Sequence, residues 1–345
     1  MNGALGTSDA VSIVLPVLNE QGNLEPLHAR ITSAMKAVPR EYEVVYVDDG
    51  STDGSWDVLR RLAAADQRVR LVRLRKNFGQ TAALAAGVAH SRHSILVTLD
   101  ADLQNDPDDI PRLIAKLEEG NDVVSGWRRT RQDPWLTRRV PSRIANALIR
   151  KVSGVPLHDF GCTLKAYRRE VLHDVSLYGE MHRFVAVLAA WVGGRIAELP
   201  VTHRPRTHGS SKYGLLRTYK VLIDLITLKF IGDFSARPNY VFGTFGLVSL
   251  LLRLIGLVVV AYRLFVLHRV EATPLVFFVV VFFLTGVFSL FIGFLAEIMI
   301  RGFYATERAP TYFVRETVGI DAGGDVRSPA EPTLRIPVKP ARSDG

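Results

Sequence analysis

Apolar residues recur along this chain in two rhythms. Over the first third, short apolar runs alternate with longer amphipathic stretches. Residues 11–17, 42–47, 69–74, 95–99 and 122–125 have the length and β-branched content of strands buried on both faces. Between them, 22–38, 55–65 and 77–91 read as helices, and another opens at Pro107 with acids in its first turn. Alternating strands and helices predict an α/β fold, a mostly parallel sheet covered by helices on both faces. A late strand is expected at 195–201.

The second rhythm begins near Leu215. Residues 215–236 are apolar but interrupted by Arg217, Lys220, Asp224, Lys229 and Asp233, the pattern of a helix lying in a membrane interface. Residues 240–262 and 274–300 are apolar runs of about 20 residues or more, long enough to span a bilayer. A buried hairpin of a soluble protein is the competing reading, disfavoured by length and by Phe and Val density. Arg253 stands well inside the first run with no partner evident at its depth, a cost of a few kcal/mol.

Five segments follow: a short polar, disordered N-terminus (1–10) without signal-peptide character, a domain at 11–214, interfacial helices at 215–236, two spans within 237–300, and a tail at 301–345. Arg301 and Arg308 flank the returning end, against Arg263, His268, Arg269 and Glu271 in the short loop. The positive-inside rule then places both termini in the cytoplasm. Beyond about Gly319 the tail is rich in Pro and Gly and expected to be partly disordered. Its segment 311–316 has strand composition, a candidate for pairing between copies in a homo-oligomer.

Charge narrows the partners. The formal net charge is +9, yet no zinc-finger spacing or RNA-binding aromatic signature occurs, so no nucleic acid is expected. Anionic lipid and phosphorylated substrates lead instead. The lone Cys162 excludes an internal disulfide.

The candidate chemistry lies where the strand at 95–99 ends, in Asp100-Ala-Asp102-Leu-Gln104. Ligands of open α/β sheets bind beyond the carboxyl ends of the strands. Two carboxylates and an amide are hard oxygen ligands of the kind that hold Mg²⁺ or Mn²⁺ together with substrate phosphates. Taken alone, the pattern is also that of a helix cap or polar turn. An EF-hand fails, because Asn105 and Pro111 stand where Gly and Glu are needed. Neither a Gly-rich dinucleotide loop nor a P-loop is present, so a nucleotide would be held by carboxylates and a metal. Arg128, Arg129, Arg131, Arg138, Arg139, Arg143, Arg150 and Lys151 form a basic run, either a solvated face or a patch that meets phosphate or anionic lipid. Asp159 is an isolated acid in an apolar-aromatic setting, and the Gly, Ser and Lys content of 204–214 suits phosphate capture or a solvated loop.

Six segments carry a resemblance: Leu15-Pro-Val-Leu-Asn-Glu20, Val47-Asp-Asp-Gly-Ser-Thr-Asp53, Asn77-Phe-Gly-Gln80, Leu99-Asp-Ala-Asp-Leu-Gln-Asn105, Asp159-Phe-Gly-Cys162 and His208-Gly-Ser-Ser-Lys-Tyr213. In this order, with the apolar hairpin, the chain resembles family 2 glycosyltransferases of GT-A fold. Within them it is similar to the polyprenyl-phosphate sugar transferases, such as dolichol-phosphate mannose synthase and the bacterial undecaprenyl-phosphate aminoarabinose-type enzymes. The resemblance implies inverting transfer of a sugar from a nucleotide sugar, a UDP-sugar by preference, to undecaprenyl or another polyprenyl phosphate at a bacterial inner membrane. It implies that Pro16, Asn19, Glu20, Asp48 and Asp49 hold base and ribose, and that Asp100 contacts the nucleoside or sugar. Asp102 and Gln104 would hold Mg²⁺ or Mn²⁺ on the diphosphate. Arg128, Arg143, Lys212 and Ser211 would face the phosphates, and Asp159 would stand at the sugar site. A lipid phosphate is already ionised at neutral pH, so Asp159 is expected to position substrate more than to take a proton.

A processive polysaccharide synthase would carry Q-x-x-R-W and more spans, which this chain lacks. A transferase with a soluble acceptor and a catalytically silent membrane module are the remaining alternatives.

Overall fold

The computed structural model describes residues 10–129, 140–173, 181–204, 238–268, 274–305 and 312–320. The chain divides into two units, 1–229 with 308–345, and 230–307.

The first unit is built on an eight-stranded sheet whose strands lie side by side in the order Ile196–Pro200 (β7), Val123–Trp127 (β5), Lys165–Arg168 (β6), Ile95–Thr98 (β4), Val11–Val17 (β1), Tyr42–Asp48 (β2), Val69–Leu74 (β3) and Val314–Val318 (β8). Its centre is parallel: β1 (Val11–Val17) lies between β2 (Tyr42–Asp48) and β4 (Ile95–Thr98), and β3 (Val69–Leu74) follows β2. Their apolar side chains are almost wholly buried, as expected for strands covered on both faces. One buried polar cluster crosses this centre near the amino ends of the strands. Ser12 Oγ donates to Glu43 Oε1 at 2.6 Å, and Glu43 Oε2 pairs with Arg70 Nε at 2.6 Å.

α1 (Leu24–Met35) and α4 (Ile110–Glu118) bury apolar stripes, Leu24, Leu27 and Ile31 on one and Ile110, Leu113, Ile114 and Leu117 on the other. α2 (Ser55–Ala65) runs as its sequence predicts. α3 (Gln80–His90) is shorter than expected, because 77–79 form a loop in which Gly79 adopts φ +95°. Its small residues let it lie close on the sheet: a Cβ at Gly87 would come 2.2 Å from Val14 Cγ1. Pro107–Asp109 is a 3₁₀ turn leading into α4.

The other half of the sheet is mixed. β5 (Val123–Trp127) pairs parallel with β7 (Ile196–Pro200), while β6 (Lys165–Arg168) runs antiparallel to both β4 and β5. β6 is four residues long and bracketed by Lys and Arg, so it leaves little apolar signal in the sequence. α5 (Val140–Ser153), α6 (Arg169–His173) and α7 (Val185–Trp191) complete this half.

The tail departs from expectation. β8 (Val314–Val318) pairs antiparallel with β3 of its own chain, Val318 opposite Leu71 and Val314 opposite Leu74. The segment expected to pair between copies thus covers the β3 edge within its own chain and becomes the last strand of the sheet.

In the second unit, α8 (Pro238–Phe265) and α9 (Pro274–Ala305) contain apolar spans at Val241–Phe265 and Pro274–Ala296, each long enough to cross a bilayer. They pack through small residues: a Cβ at Gly246 would meet Leu290 Cγ at 2.9 Å and Gly286 O at 3.0 Å. Arg253 has the partner its sequence did not reveal, since its guanidinium carbon lies 4.3 Å from the centre of the Phe283 ring across the helix pair. The expected interfacial segment 215–236 lies outside the described residues.

Candidate active site

The loops after β1, β2, β3 and β4 all leave the carboxyl edge of the parallel strands, and hydrogen bonds knit them together. Asn19, at φ +59°, accepts from Thr52 N through Oδ1 at 2.8 Å, and its own N–H donates to Ser51 Oγ at 3.0 Å. Glu20 N donates to Ser55 Oγ at 2.9 Å, and Glu20 Oε2 accepts from Asn23 Nδ2 at 2.6 Å. The first two loops thus act as one piece.

The third loop is fastened to the second by Asp49, whose carboxylate accepts from Phe78 N at 2.7 Å and Gly79 N at 2.9 Å. Burial raises the pKa of Asp49, with those two bonds opposing. The loops approach so closely here that a Cβ at Gly50 would fall 2.6 Å from Asn77 N, and Gly50 adopts φ +73°. Asp48 is fully buried; it accepts from Ser51 N at 3.0 Å and lies 3.2 Å from Arg73 Nε. Asp48 and Asp49, expected against base and ribose, also engage the protein's own loops. Acids needed to brace a turn and acids needed to bind a ribose look alike in sequence.

Beyond β4 the Asp-Ala-Asp turn is rigid. Asp100 Oδ1 accepts from Gln80 Nε2 at 2.7 Å, and Asp100 lines a cleft with Pro16, Thr98, Lys165, Tyr167 and His182. Leu103 sits at φ +59°, unfavourable for a branched side chain. Surrounding bonds hold it there: Gln104 N donates to Asp102 Oδ1 at 3.1 Å, Arg204 N to Gln104 O at 2.9 Å, and Asn105 Nδ2 to Thr163 Oγ1 at 2.8 Å. Asp106 caps the following 3₁₀ turn and pairs with Arg30 and Arg204; these bonds lower its pKa although burial acts the other way.

At the end of β5, Arg128 grips Asp159 in a two-point pair, Nε to Oδ2 at 2.7 Å and Nη2 to Oδ1 at 2.9 Å. Burial works against the guanidinium charge, but the bonds and charge of Asp159 outweigh it and raise the Arg128 pKa. Asp159 also accepts from Gly161 N at 3.1 Å, while its own N–H donates to Glu198 Oε1 at 2.9 Å.

Lys165 was not singled out by its sequence. It is 2% exposed, donates to Phe160 O at 3.2 Å, and lies within electrostatic reach of Asp100, Asp159 and Arg128. Desolvation lowers its pKa, and the two carboxylates oppose that. A buried cation beneath two acids offsets their mutual repulsion. Its one sequence signal is a Lys at the head of a short strand. Gln80, in the Asn77-Phe-Gly-Gln80 segment, is a second such residue, since its side chain fixes the Asp100 carboxylate.

The structure thus brings Pro16, Asp100, Arg128 and Asp159 to one edge with Asp102 and Gln104, and sets Asn19 and Glu20 on the adjoining loops. Arg143 stands exposed on α5. Lys212 and Ser211 lie outside the described residues. A divalent cation suits the donor set. Among the described residues no group of three His, Cys, Asp or Glu forms a metal cage. One carboxylate and one neighbouring amide are the partial ligand set that a Mg²⁺-type ion completes with water and substrate phosphates.

Residues 12–176 match Glycosyl transferase family 2. The chain is 40% identical over 324 residues to a dodecaprenyl-phosphate galacturonate synthase of Rhizobium johnstonii, covering 90% of this chain and 95% of that protein. It is 37% identical over 319 residues to an undecaprenyl-phosphate 4-deoxy-4-formamido-L-arabinose transferase of Aeromonas hydrophila, covering 89% and 94%. A solved glucosyl-3-phosphoglycerate synthase of Mycobacterium tuberculosis is 22% identical, covering 64% of this chain and 79% of that one with a TM-score of 0.49. Extensive identity along nearly the whole length, over a parallel sheet that ends in this acidic turn, places the chain in glycosyl transferase family 2.

Proposed function

We propose that this enzyme transfers a sugar from a nucleotide sugar, a UDP-sugar by preference, to a polyprenyl phosphate such as undecaprenyl phosphate. Supporting this are the acceptors named in the two relatives, both prenyl phosphates, and the paired apolar spans of the second unit. The observation that carries the reading is the hydrogen-bonded Asp100–Asp102–Gln104 turn, whose Asp100 lines one cleft with Lys165 and lies within electrostatic reach of Arg128, the partner of Asp159.

Asp102 and Gln104 would hold Mg²⁺ or Mn²⁺, whose charge stabilises the departing nucleoside diphosphate. Pro16 and Asp100 line the donor cleft, with Gln80 holding the Asp100 carboxylate in place. Asn19 and Glu20 face the nucleoside from loops that Asp48 and Asp49 brace. The acceptor phosphate attacks the anomeric carbon with inversion. It is ionised at neutral pH and needs no strong base, which fits an Asp159 whose carboxylate already serves Arg128. Asp159 therefore orients the sugar, and Arg128 supplies fixed positive charge where two anions must approach. Arg143, Lys212 and Ser211 add phosphate contacts.

Since β3 and β8 share one sheet while the two spans lie between them in sequence, two crossings would return the tail to the side of the catalytic unit. Basic flanks put that side in the cytoplasm of a bacterial inner membrane.

The test is sugar transfer by the purified full chain to undecaprenyl phosphate from a panel of labelled UDP- and GDP-sugars. Lipid-extractable label is expected with Mg²⁺ or Mn²⁺, lost with EDTA and in Asp102→Asn. Donor hydrolysis without a lipid product would overturn the acceptor, and metal-independent transfer would overturn the role of Asp102.

A further inference from the structure

At the carboxyl end of β3, on the edge that carries the donor cleft, two aromatic rings meet. Phe78, from the loop that Asp49 fastens, packs against Phe313 at the entrance to β8, with ring centres 6.1 Å apart. Arg75 N donates to Phe313 O at 2.9 Å, so the tail is locked in register here. The Arg75 guanidinium lies 5.9 Å from the centre of the Phe313 ring, and the Lys76 ammonium lies 5.2 Å from that of Phe78. These four residues line a shallow open depression, and none of them is acidic. Phe313 remains 51% exposed although its strand neighbours are paired.

An exposed Phe gains nothing from water, and two cations beside it are costly to desolvate against another apolar surface. Rings backed by Lys and Arg suit one environment well, the headgroup layer of an anionic bilayer. There the rings enter the acyl boundary and the cations meet lipid phosphates. The chain's own connectivity favours the same occupant. Tyr312 follows Ala305, the last residue of the second apolar helix, by seven residues, a tether of at most ~25 Å.

We propose that Arg75, Lys76, Phe78 and Phe313 form a contact patch of the catalytic unit for an anionic phospholipid surface. Phe78 stands two residues before Gln80, the first residue of α3, whose side chain holds Asp100, so the patch borders the donor cleft.

The test does not depend on any transfer activity. Cys162 is buried, so a cysteine introduced at Phe313 is the accessible thiol among the described residues. The full chain with Phe313→Cys, carrying the apolar fluorophore bimane in place of the ring, is reconstituted into vesicles of phosphatidylglycerol and phosphatidylcholine. Quenching by spin-labelled lipid and a blue-shifted emission are expected. Both should weaken in phosphatidylcholine alone and be lost in Arg75→Glu with Lys76→Glu. Bimane on Glu41→Cys, exposed before β2 at the opposite edge of the sheet, should stay unquenched. Equal quenching at both positions overturns the proposal. So does a probe at 313 that is unquenched by lipid, whether it reports water or is shielded by a second copy of the chain, which cross-linking through that cysteine would reveal.

Discussion

The two units of this protein solve the same problem, a cation away from water, in different ways. In the catalytic unit Arg70 faces a carboxylate across neighbouring strands and Arg128 faces one from the loop after α5, at 2.6 and 2.7 Å. In the apolar unit Arg253 faces the π surface of Phe283. The surroundings differ just as sharply. The sheet hides its Val, Leu and Ile, whereas α8 and α9 turn Phe245, Val258, Phe277 and Phe291 outward, each more than half exposed. With those faces in lipid, as proposed, a carboxylate among them would itself need burial, so a ring is the cheaper partner there. Ion pairing belongs where a polar edge can surround both charges.

Removing one member of a buried pair should therefore hurt most in the catalytic unit. Asp159→Asn leaves the Arg128 charge buried without its anion and is expected to destabilise that unit by about 3–5 kcal/mol, read by denaturant unfolding. Arg128→Met combined with Asp159→Asn should recover much of that stability without recovering sugar transfer. If the double variant is no more stable than the single one, the pair is not what holds this edge.

The apolar unit should respond in the opposite direction. Arg253→Leu removes a charge from a span and should favour membrane insertion by about 2–3 kcal/mol on a translocon reporter. Phe283→Ala should disfavour it by about 1 kcal/mol, but only while Arg253 is present. A Phe283→Ala effect that persists in Arg253→Leu would show the ring packs for its own sake.

The smallest effect is expected at the rim of the catalytic unit, where Asp66 pairs with Arg68 at 2.7 Å and with His28 at 3.3 Å. Hydrogen bonds from Arg68 hold the Asp66 pKa at about 2, against the pull of burial. Because the folded value lies below the unfolded one, the stabilisation is complete above pH of about 4 and fades as pH falls through about 2. Arg68 is largely exposed, so Asp66→Asn should cost only about 1 kcal/mol at neutral pH. The gap between variant and parent should vanish in acid unfolding curves near pH 2.

Much of this architecture is visible in the linear pattern. Each strand of the parallel centre buries nearly every residue, so its apolar run is continuous and hard to mistake. Two helices with apolar residues all around announce themselves in the same way. The Asp-Ala-Asp turn stood out because it directly follows a buried strand and keeps company with five further segments, whereas alone it reads equally as a cap or polar turn. β6 was not, since four residues framed by Lys and Arg carry no periodicity, and its burial depends on β4 and β5 being in place first.

What sequence alone determined, then, was local: which segments are strands, which are long apolar helices, and where the acids gather. Which partners those acids find within the protein was decided by tertiary contact. Asp48 and Asp49 brace loops because Arg73 of β3 and Phe78 and Gly79 of the loop after it arrive beside them. Asp159 faces Arg128 across 31 residues of chain, Lys165 is buried within electrostatic reach of both, and Phe283 comes to meet Arg253 from a second helix. The tail, whose composition promised only a strand, found its partner in β3. A side chain's type fixes which interactions it can make, but its partner is chosen by the fold, because burial removes water as the default one.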